Sequence, residues 1–435
     1  VERSRGLGDV YKRQGGRGVG PWLTALSAEA SDMSGWLLMG LPGVAYFTGA
    51  ADPMWTAIGL ALGTYLNWKL VARRLRRYSV VAGDAITIPD FFSKRFHDDR
   101  NIVSTIAALI ILVFFCVYVG SCFVTVGKLF STLFGWDYHL TMVIGAAIVF
   151  AYTIIGGYLS VVVTDFIQGL LMFFALAVVF IGSVASAGGI DNTVAFLKGI
   201  PGFLDGTHVA TPILNDAGEQ IVKAGQAMFG APADYGIITI ISMLAWGLGY
   251  FGMPHILLRF MAIEDEKKLV LSRRIASVWV VIAMTASIII GMVGLGMTKA
   301  GVLEYLSGSS SETVIVRIAN LIAQHGILAA VLAGLILAGI LAATMSTADS
   351  QMLAAASSVS QNILQEFGHM KLTERQSLFA ARLTIICVSV VGVVLARDPN
   401  SSVFGIVSFA WAGFGGAFGA VVLCALSLIH ISEPT

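Results

Sequence analysis

The chain contains few charged residues. Asp, Glu, Lys and Arg make up 12% of its 435 residues, whereas soluble globular domains carry roughly 25%. Apolar residues reach 57%, and the mean hydropathy is +0.83. An excess of apolar residues on this scale needs a solvent other than water, so the composition indicates a protein of the lipid bilayer.

Several kinds of functional site are also missing. The net charge of +1 gives no reason to expect a nucleic acid as partner. The four cysteines lie in apolar runs at spacings that match no metal motif, and they are expected to be buried free thiols. The seven histidines form no HExxH-type set, and no Walker A sequence is present. With no nucleophile–base pair either, the chain is predicted not to be an enzyme.

Ten apolar stretches are predicted to be membrane spans, each of which needs about 20 residues as a helix. They cover residues 22–48, 54–72, 102–133, 140–155, 161–185, 237–261, 275–297, 327–364, 378–396 and 403–426. Basic residues concentrate after span two, after span six and between spans eight and nine, and Arg259 is counted with the group after span six. Because positively charged loops stay in the cytoplasm, span one should begin on the cytoplasmic side of the cell (plasma) membrane and run outward. The ten spans then alternate in direction without conflict.

The two ends of the chain differ from the rest. Residues 1–14 and 428–435 are polar, and DVYKRQ and LIHISEPT resemble translated adapter sequence at the edges of assembled metagenomic fragments. We therefore expect both ends to be non-native and assign residues 15–427 to a single transmembrane core.

Span one contains a polar interruption in the sequence ALSAEASDMSGWLLMG. Gly35 and the small polar residues before it are poor helix formers, so the helix is predicted to break there. Irregular backbone at membrane depth is tolerated where it lines a cavity or is buried, and free carbonyls at a break can bind a cation. Asp32 is expensive inside a membrane and indicates function. The alternative is a kink in which Asp32 makes a structural hydrogen bond.

Span six contains a second predicted break, in WGLGYFGMPHILLRF. Its glycines and Pro254 should interrupt the helix near residues 249–254. Trp246 and Tyr250 are four residues apart and share a helix face, where flat rings suit an apolar ring substrate. Aromatic packing between helices is the alternative. Two interrupted spans at corresponding positions, one and six, predict an inverted-repeat transporter.

Span eight carries two neighbouring hydroxyl residues, Ser346 and Thr347, in AATMSTADSQML. Hard cations bind several oxygens, so these hydroxyls and the carbonyls at the break in span one together suit sodium. The alternative is that both hydroxyls bond to the preceding turn of their own helix. Asp349, in the same segment, has no assigned role.

Two other spans contain polar or aromatic positions with open roles. Asp165 and Gln168 in span five either line the inner exit or make an interhelical hydrogen bond, and we favour the structural role. Tyr118 in span three is, by base rate, more often a core residue than a ligand.

Together these motifs closely resemble the sodium:solute symporter family, in its sodium/proline branch. The matching segments run from about residue 15 to about residue 426 and include ASDMSGWLLMG, WGLGYFGMPHI and MSTADSQML. The resemblance implies an all-α polytopic membrane protein with the LeuT-type fold of five-plus-five inverted repeats. Repeat one would span about residues 20–189 and repeat two about residues 235–427.

The resemblance also implies which residues act. The sodium ligands would be three carbonyls and two hydroxyls, those of Ala30, Met33, Ala343, Ser346 and Thr347. Asp32 matches an aspartate required for sodium-dependent transport. The positions tied to the substrate would be Ser34, Gly35, Tyr118, Trp246, Tyr250 and Pro254. No cofactor is implied apart from Na⁺ as the coupling ion.

The implied function is import of L-proline with Na⁺ by alternating access. One alternative is a symporter of the same family for another amino acid, a small carboxylate or a vitamin. Another is a transporter-like sensor domain that reports its ligand to a signalling module.

Overall fold

Helices dominate the computed structural model, which describes residues 15–155, 158–216, 220–223 and 226–427. The ends expected to be non-native, residues 1–14 and 428–435, lie outside these described residues. All ten predicted spans are helical. Their bounds are Pro21–Asp32 with Trp36–Thr48, Ala51–Asn67 continued to Val81, Ile102–Phe134, Tyr138–Ile155, Tyr158–Ser186, Ile237–Gly252 with Pro254–Ala262, Leu269–Lys299, Ile327–Phe367, Glu374–Leu395, and Val403–Phe414 continued to Ser427.

The length and hydropathy of the helices separate the ten spans into two groups. Six helices of the described chain qualify as membrane spans, and the bent pair in span six makes a seventh. Span one is broken into two short helices, and span four, Tyr138–Ile155, is short at 18 residues. Span two is less apolar, because Asn67 and Lys69 lie within it. These three spans complete the bundle, although none of them meets the length and hydropathy requirement.

The break in span one falls at the polar interruption. The first helix ends at Asp32, and Met33 leaves the helical region with φ −85° and ψ 70°. The chain resumes at Trp36 as a π-helical turn, Trp36–Gly40, before the α-helix Leu41–Thr48. The predicted break is therefore confirmed.

The break in span six falls at Met253. The helices on either side, Ile237–Gly252 and Pro254–Ala262, are bent by 48°. Met253 is extended, with φ −77° and ψ 106°. Proline disfavours helical backbone in the residue before it and lacks the N–H that would continue the ladder. This break is also confirmed.

Glycine lets spans two and six approach closely. A Cβ on Gly63 would overlap the backbone of Gly247, and a Cβ on Gly247 would overlap Gly59. Small residues at such crossings allow backbone-to-backbone contact within a membrane bundle. Span six is thereby held against span two just before the break of span six at Met253.

Span eight lies at the centre of the bundle, against spans five, three and one. The first half of span one, Pro21–Asp32, packs between spans five and seven. Large apolar side chains cover the outside, such as Val113, Ile238 and Ile327. An apolar exterior around a partly polar centre is the arrangement expected of a helix bundle in lipid.

The connections outside the bundle are small. Between spans five and six lie the helix Ile190–Lys198 and two antiparallel two-stranded sheets, His208–Val209 with Ala233–Asp234 and Val222–Lys223 with Gln226–Ala227. Between spans seven and eight, the helices Gly308–Thr313 and Val314–Ala323 pack on the second half of span one.

The cysteines correct one expectation. Cys122 is buried and Cys116 is half-buried, but Cys387 and Cys424 are exposed. A small apolar side chain in a membrane helix can face lipid as easily as protein, so an apolar run does not predict burial inside the bundle.

Candidate functional site

The breaks in spans one and six lie beside each other. The Trp36 ring, just after the first break, lies 5.3 Å from the ring of Trp246. Before the break in span one, Glu29 Oε1 accepts from the Tyr250 hydroxyl at 2.8 Å. The first helix of span six therefore contacts span one on both sides of the break in span one.

The hydroxyl pair of span eight points at the broken end of span one. Ser346 Oγ donates to the Ala30 carbonyl at 2.7 Å and to the Ala343 carbonyl at 3.1 Å. Thr347 Oγ1 lies 3.5 Å from the same Ala30 carbonyl. The bond to Ala343 is the local one that the alternative interpretation expected, but both hydroxyls also reach across to another helix. Four candidate sodium ligands are thus brought together.

Met33, the fifth candidate ligand, lies where the first helix ends. It is fully buried, and its N–H donates to the Glu29 carbonyl at 2.8 Å. Among the described hydrogen bonds, none joins the Met33 carbonyl to Ser346 or Thr347. The structure places Met33 at the break, and the part of its carbonyl in the sodium site stays a prediction.

Asp32 carries a buried carboxylate at the end of the first helix of span one. It is 0% exposed, and in the described part of the chain neither of its carboxylate oxygens has a hydrogen-bond partner. The structural hydrogen bond that would explain it as a simple kink residue is therefore not present there. A bare carboxylate at membrane depth is costly, and a cation nearby would offset that cost.

Tyr118 contacts the break directly. Its hydroxyl donates to the Asp32 carbonyl at 3.0 Å and lies 3.3 Å from Trp411 Nε1, which donates to it. The residue is fully buried, as a core residue would be. Tyr118 is thus a core residue whose hydroxyl contacts the break, and its role toward a substrate stays a prediction.

Aromatic rings surround Trp246, which precedes the break in span six. Its ring lies 5.1 Å from Phe404, 5.3 Å from Trp36 and 5.5 Å from Trp411. Tyr250 lies 6.3 Å from Trp411, so the two predicted substrate residues share one aromatic neighbour. The rings pack between helices, as the packing alternative expected. They also form an apolar wall, as a site for a ring-shaped substrate would require.

A cavity of about 340 Å³ opens beside these rings, between spans six and ten. Trp246, Gly249 and Trp411 line it, whereas Asp32 and Ser346 do not. A volume of this size suits a small organic solute. The cavity is therefore adjacent to the aromatic cluster and separate from the hydroxyl pair.

The other predicted substrate residues have different surroundings. Ser34 Oγ accepts from the Trp36 N–H at 3.4 Å. A side chain at Gly35 would overlap Thr125, so glycine there permits close approach of spans one and three. Pro254 is buried as the first residue of the second helix of span six. Each lies at a break, and their contact with a substrate stays a prediction.

A buried polar network surrounds Arg259, which lies in the second helix of span six. Arg259 Nη2 donates to Asp165 Oδ2 at 2.9 Å and to Ser350 Oγ at 2.6 Å. Ser27 Oγ donates to the same Asp165 oxygen at 2.7 Å. This network joins spans one, five, six and eight, and it confirms the interhelical role favoured for Asp165. Asp349 accepts from Ser350 at 3.4 Å.

Sequence reasoning missed two members of this region. Arg259 was counted as a loop residue, but it is only 2% exposed and paired with Asp165. An arginine between apolar residues of a half-helix was the available signal. Glu29 was not singled out, although it is fully buried in the same motif as Asp32. A second carboxylate in an apolar helix is as costly as the first.

The chain is similar in sequence to known transporters. A model of the sodium:solute symporter family matches residues 14–433. The osmoregulated proline transporter OpuE of Bacillus subtilis (strain 168) is 40% identical over 421 residues, 96% of this chain and 78% of that protein. The high-affinity proline transporter PutP of the same organism is 39% identical, covering 95% and 80%. A sodium/proline symporter of Staphylococcus aureus is 39% identical, covering 95% and 75%.

Two solved structures share the fold. A substrate-bound, outward-open Na⁺-coupled sialic acid symporter aligns with a TM-score of 0.74 at 19% identity, covering 98% of this chain and 82% of that one. Mhp1, a nucleobase-cation-symport-1 family transporter in a closed conformation, aligns with a TM-score of 0.56 at 11% identity, covering 96% and 80%. The predicted LeuT-type helical fold is confirmed, while the bounds of the two repeats stay a prediction.

The family match covers nearly the whole chain, and the relatives are transporters rather than enzymes. The helices and the bacterial relatives together establish a multi-pass protein of the cell membrane. This chain belongs to the sodium:solute symporter family.

Proposed function

We propose that this chain imports L-proline together with Na⁺ by alternating access. The observation that carries the proposal is the convergence of Ser346 and Thr347 on the Ala30 carbonyl, two residues before Asp32, whose carboxylate has no hydrogen-bond partner among the described residues. Proline is the preferred cargo because three relatives at 39–40% identity are named proline transporters or sodium/proline symporters.

Sodium would bind where span eight meets the broken end of span one. The ligands are the carbonyls of Ala30, Met33 and Ala343 and the hydroxyls of Ser346 and Thr347. Hydroxyl and carbonyl oxygens suit a hard cation. By joining two helices, the ion favours the arrangement in which the break is ordered. Asp32 supplies the negative charge that makes a cation favourable at this depth.

Proline would bind between the breaks and the aromatic cluster. The rings of Trp246 and Tyr250 offer apolar surface to the pyrrolidine ring. The irregular backbone at Ser34 and Gly35 leaves N–H groups at the start of the second helix, which favours a carboxylate. Tyr118 contacts this break, and Pro254 lies at the break in span six. Rocking of one helix group against the other would then release both solutes inside.

The sodium gradient supplies enough energy for accumulation. One Na⁺ moving through about 100 mV provides about 2.3 kcal/mol. Each tenfold concentration ratio of a neutral solute requires about 1.4 kcal/mol. The voltage alone therefore supports roughly fifty-fold accumulation if one Na⁺ enters with each proline.

Transport by the purified chain in proteoliposomes tests this function. Labelled L-proline should accumulate when an inward Na⁺ gradient is imposed, and an equal K⁺ gradient should give no accumulation. An excess of unlabelled proline should compete, whereas other amino acids, small carboxylates and vitamins should not. Uptake that ignores Na⁺ would refute the symport mechanism. Stronger competition by a different solute would assign the same mechanism to that solute instead.

A further inference from the structure

Glu29 lies in the last turn of the first helix of span one and contacts two other spans. Its Oε1 accepts from the Tyr250 hydroxyl at 2.8 Å and from Trp68 Nε1 at 3.4 Å. The side chain is 0% exposed. Its carbonyl also receives the N–H of Met33 at 2.8 Å, the bond that ends the helix. Glu29 therefore joins span one to spans two and six at the break.

The next residue contacts a different helix. The Ala30 carbonyl accepts from Ser346 at 2.7 Å and lies 3.5 Å from Thr347. Two consecutive residues thus connect the candidate sodium ligands of span eight with the candidate substrate residue Tyr250 of span six. A shift of this turn that changes the distance to Ser346 also moves the Glu29 carboxylate against the Tyr250 hydroxyl.

The charged side chains near this turn do not pair with Glu29 in the described structure. Arg259 of span six pairs with Asp165 of span five, and it bonds Ser27 and Ser350. Asp32 follows Glu29 on the same helix and is itself a carboxylate. In the part of the chain that the structure describes, Glu29 forms no ion pair. Its hydrogen bonds to Tyr250 and Trp68 are therefore what orients it there.

We infer that Glu29 is a positioning residue that couples sodium occupancy to substrate affinity. This inference rests on the proposed function. Sodium bound at the Ala30 carbonyl fixes the last helical turn, Glu29 then holds the Tyr250 hydroxyl, and the Tyr250 ring is presented to the substrate in one orientation. Coupling between two ligands is reciprocal, so bound substrate raises the affinity for sodium through the same turn by the same factor.

The test measures proline affinity at low and at saturating sodium in proteoliposomes or in a binding assay. The ratio of the two affinities is the coupling factor, which is typically about 5 to 150 between linked sites. Glu29→Ala should lower this factor by about fivefold or more. Glu29→Gln keeps an acceptor oxygen for the Tyr250 hydroxyl and should retain most of it. Tyr250→Phe removes the donor and should reduce the factor as Glu29→Ala does.

The combined variant and a matched control sharpen the result. Glu29→Ala with Tyr250→Phe should reduce the factor no further than either single change, because both changes remove the same hydrogen bond between Glu29 and Tyr250. Tyr46→Phe also removes a buried tyrosine hydroxyl from this bundle, one that contacts Thr298 at 2.9 Å far from the break. It should leave the coupling factor unchanged.

Two failures are distinguishable. If the unmodified chain takes up proline without needing sodium, the proposed function itself is wrong. If it requires sodium but Glu29→Ala keeps the full coupling factor, the positioning role of Glu29 is wrong and the function stands. Should Glu29→Ala not insert into membranes, Tyr250→Phe alone decides, because an unchanged factor there contradicts the same link.

Discussion

Replacing Ser346 by alanine tests the sodium site most directly. The Ser346 hydroxyl donates from span eight to the Ala30 carbonyl of span one at 2.7 Å, and to the Ala343 carbonyl of its own helix at 3.1 Å. Alanine removes that oxygen from the ligand set and leaves the helix intact. The three proposed carbonyl ligands and Thr347 would remain, so the site should be weakened rather than abolished.

The expected loss of sodium affinity follows from the free energy that one contact to a charged group contributes. Such contacts contribute about 1.5–3 kcal/mol, and 1.4 kcal/mol corresponds to a factor of ten in affinity. Ser346→Ala should therefore raise the sodium concentration for half-maximal uptake about 10-fold to 150-fold. Thr347 lies farther from Ala30, at 3.5 Å, so Thr347→Ala should fall nearer the lower end.

The assay is sodium-dependent proline uptake over a wide range of Na⁺, with competing solutes measured in parallel. Thr344→Ala is a matched control, because Thr344 is buried in the same helix but bonds its own turn at the Ile340 carbonyl, 2.9 Å away. The control should leave the sodium requirement unchanged, and the order of competing solutes should be the same in all variants. A sodium requirement that Ser346→Ala leaves unaltered would refute the assignment of this site.

Three further outcomes are expected. Trp246→Ala should weaken proline affinity by about tenfold at saturating sodium, because the substrate loses an aromatic surface; equal affinity would contradict an aromatic pocket. Arg259→Leu should destabilise the protein by about 3–5 kcal/mol by leaving Asp165 buried without its partner, and Asp165→Leu in addition should restore part of the loss in a denaturation assay. Lys128→Met should lower the Tm in detergent, since Lys128 and Glu312 form a buried pair 2.7 Å apart. Adding Glu312→Gln should raise that Tm again, and no recovery would contradict the pairing argument.

Local chemistry made the breaks predictable. A proline removes a backbone donor and restricts the residue before it, so Pro254 specifies the bend at Met253 wherever span six packs. The small polar run before Gly35 acts in the same local way on span one. The hydroxyl pair was matched to sodium by the chemistry of its oxygens. Its orientation toward Ala30 depends on the rotation of a long helix, which sequence periodicity specifies poorly.

Pairs between distant parts of the chain were less predictable. Arg259 finds Asp165 across 94 positions, and Tyr250 finds Glu29 across 221. Each pairing depends on how whole helices are placed and turned, and long side chains reach partners in several registers. The sequence signals that a charge in an apolar helix needs a partner, but many polar groups in the other spans are candidates. Only the packed bundle selects among them.

The carboxylate of Asp32, which has no hydrogen-bond partner in the described part of the chain, gives the proposed cycle an order of binding. Proline carries a carboxylate of its own, which in the proposed site would bind at Ser34, two residues after Asp32 in the chain. Two like charges brought together in a buried site repel strongly, because the surroundings screen them little. A sodium ion at the Ala30 carbonyl offsets that repulsion before proline arrives. Sodium should therefore bind first, and the negative charge that makes the empty site costly is the reason the substrate requires the ion.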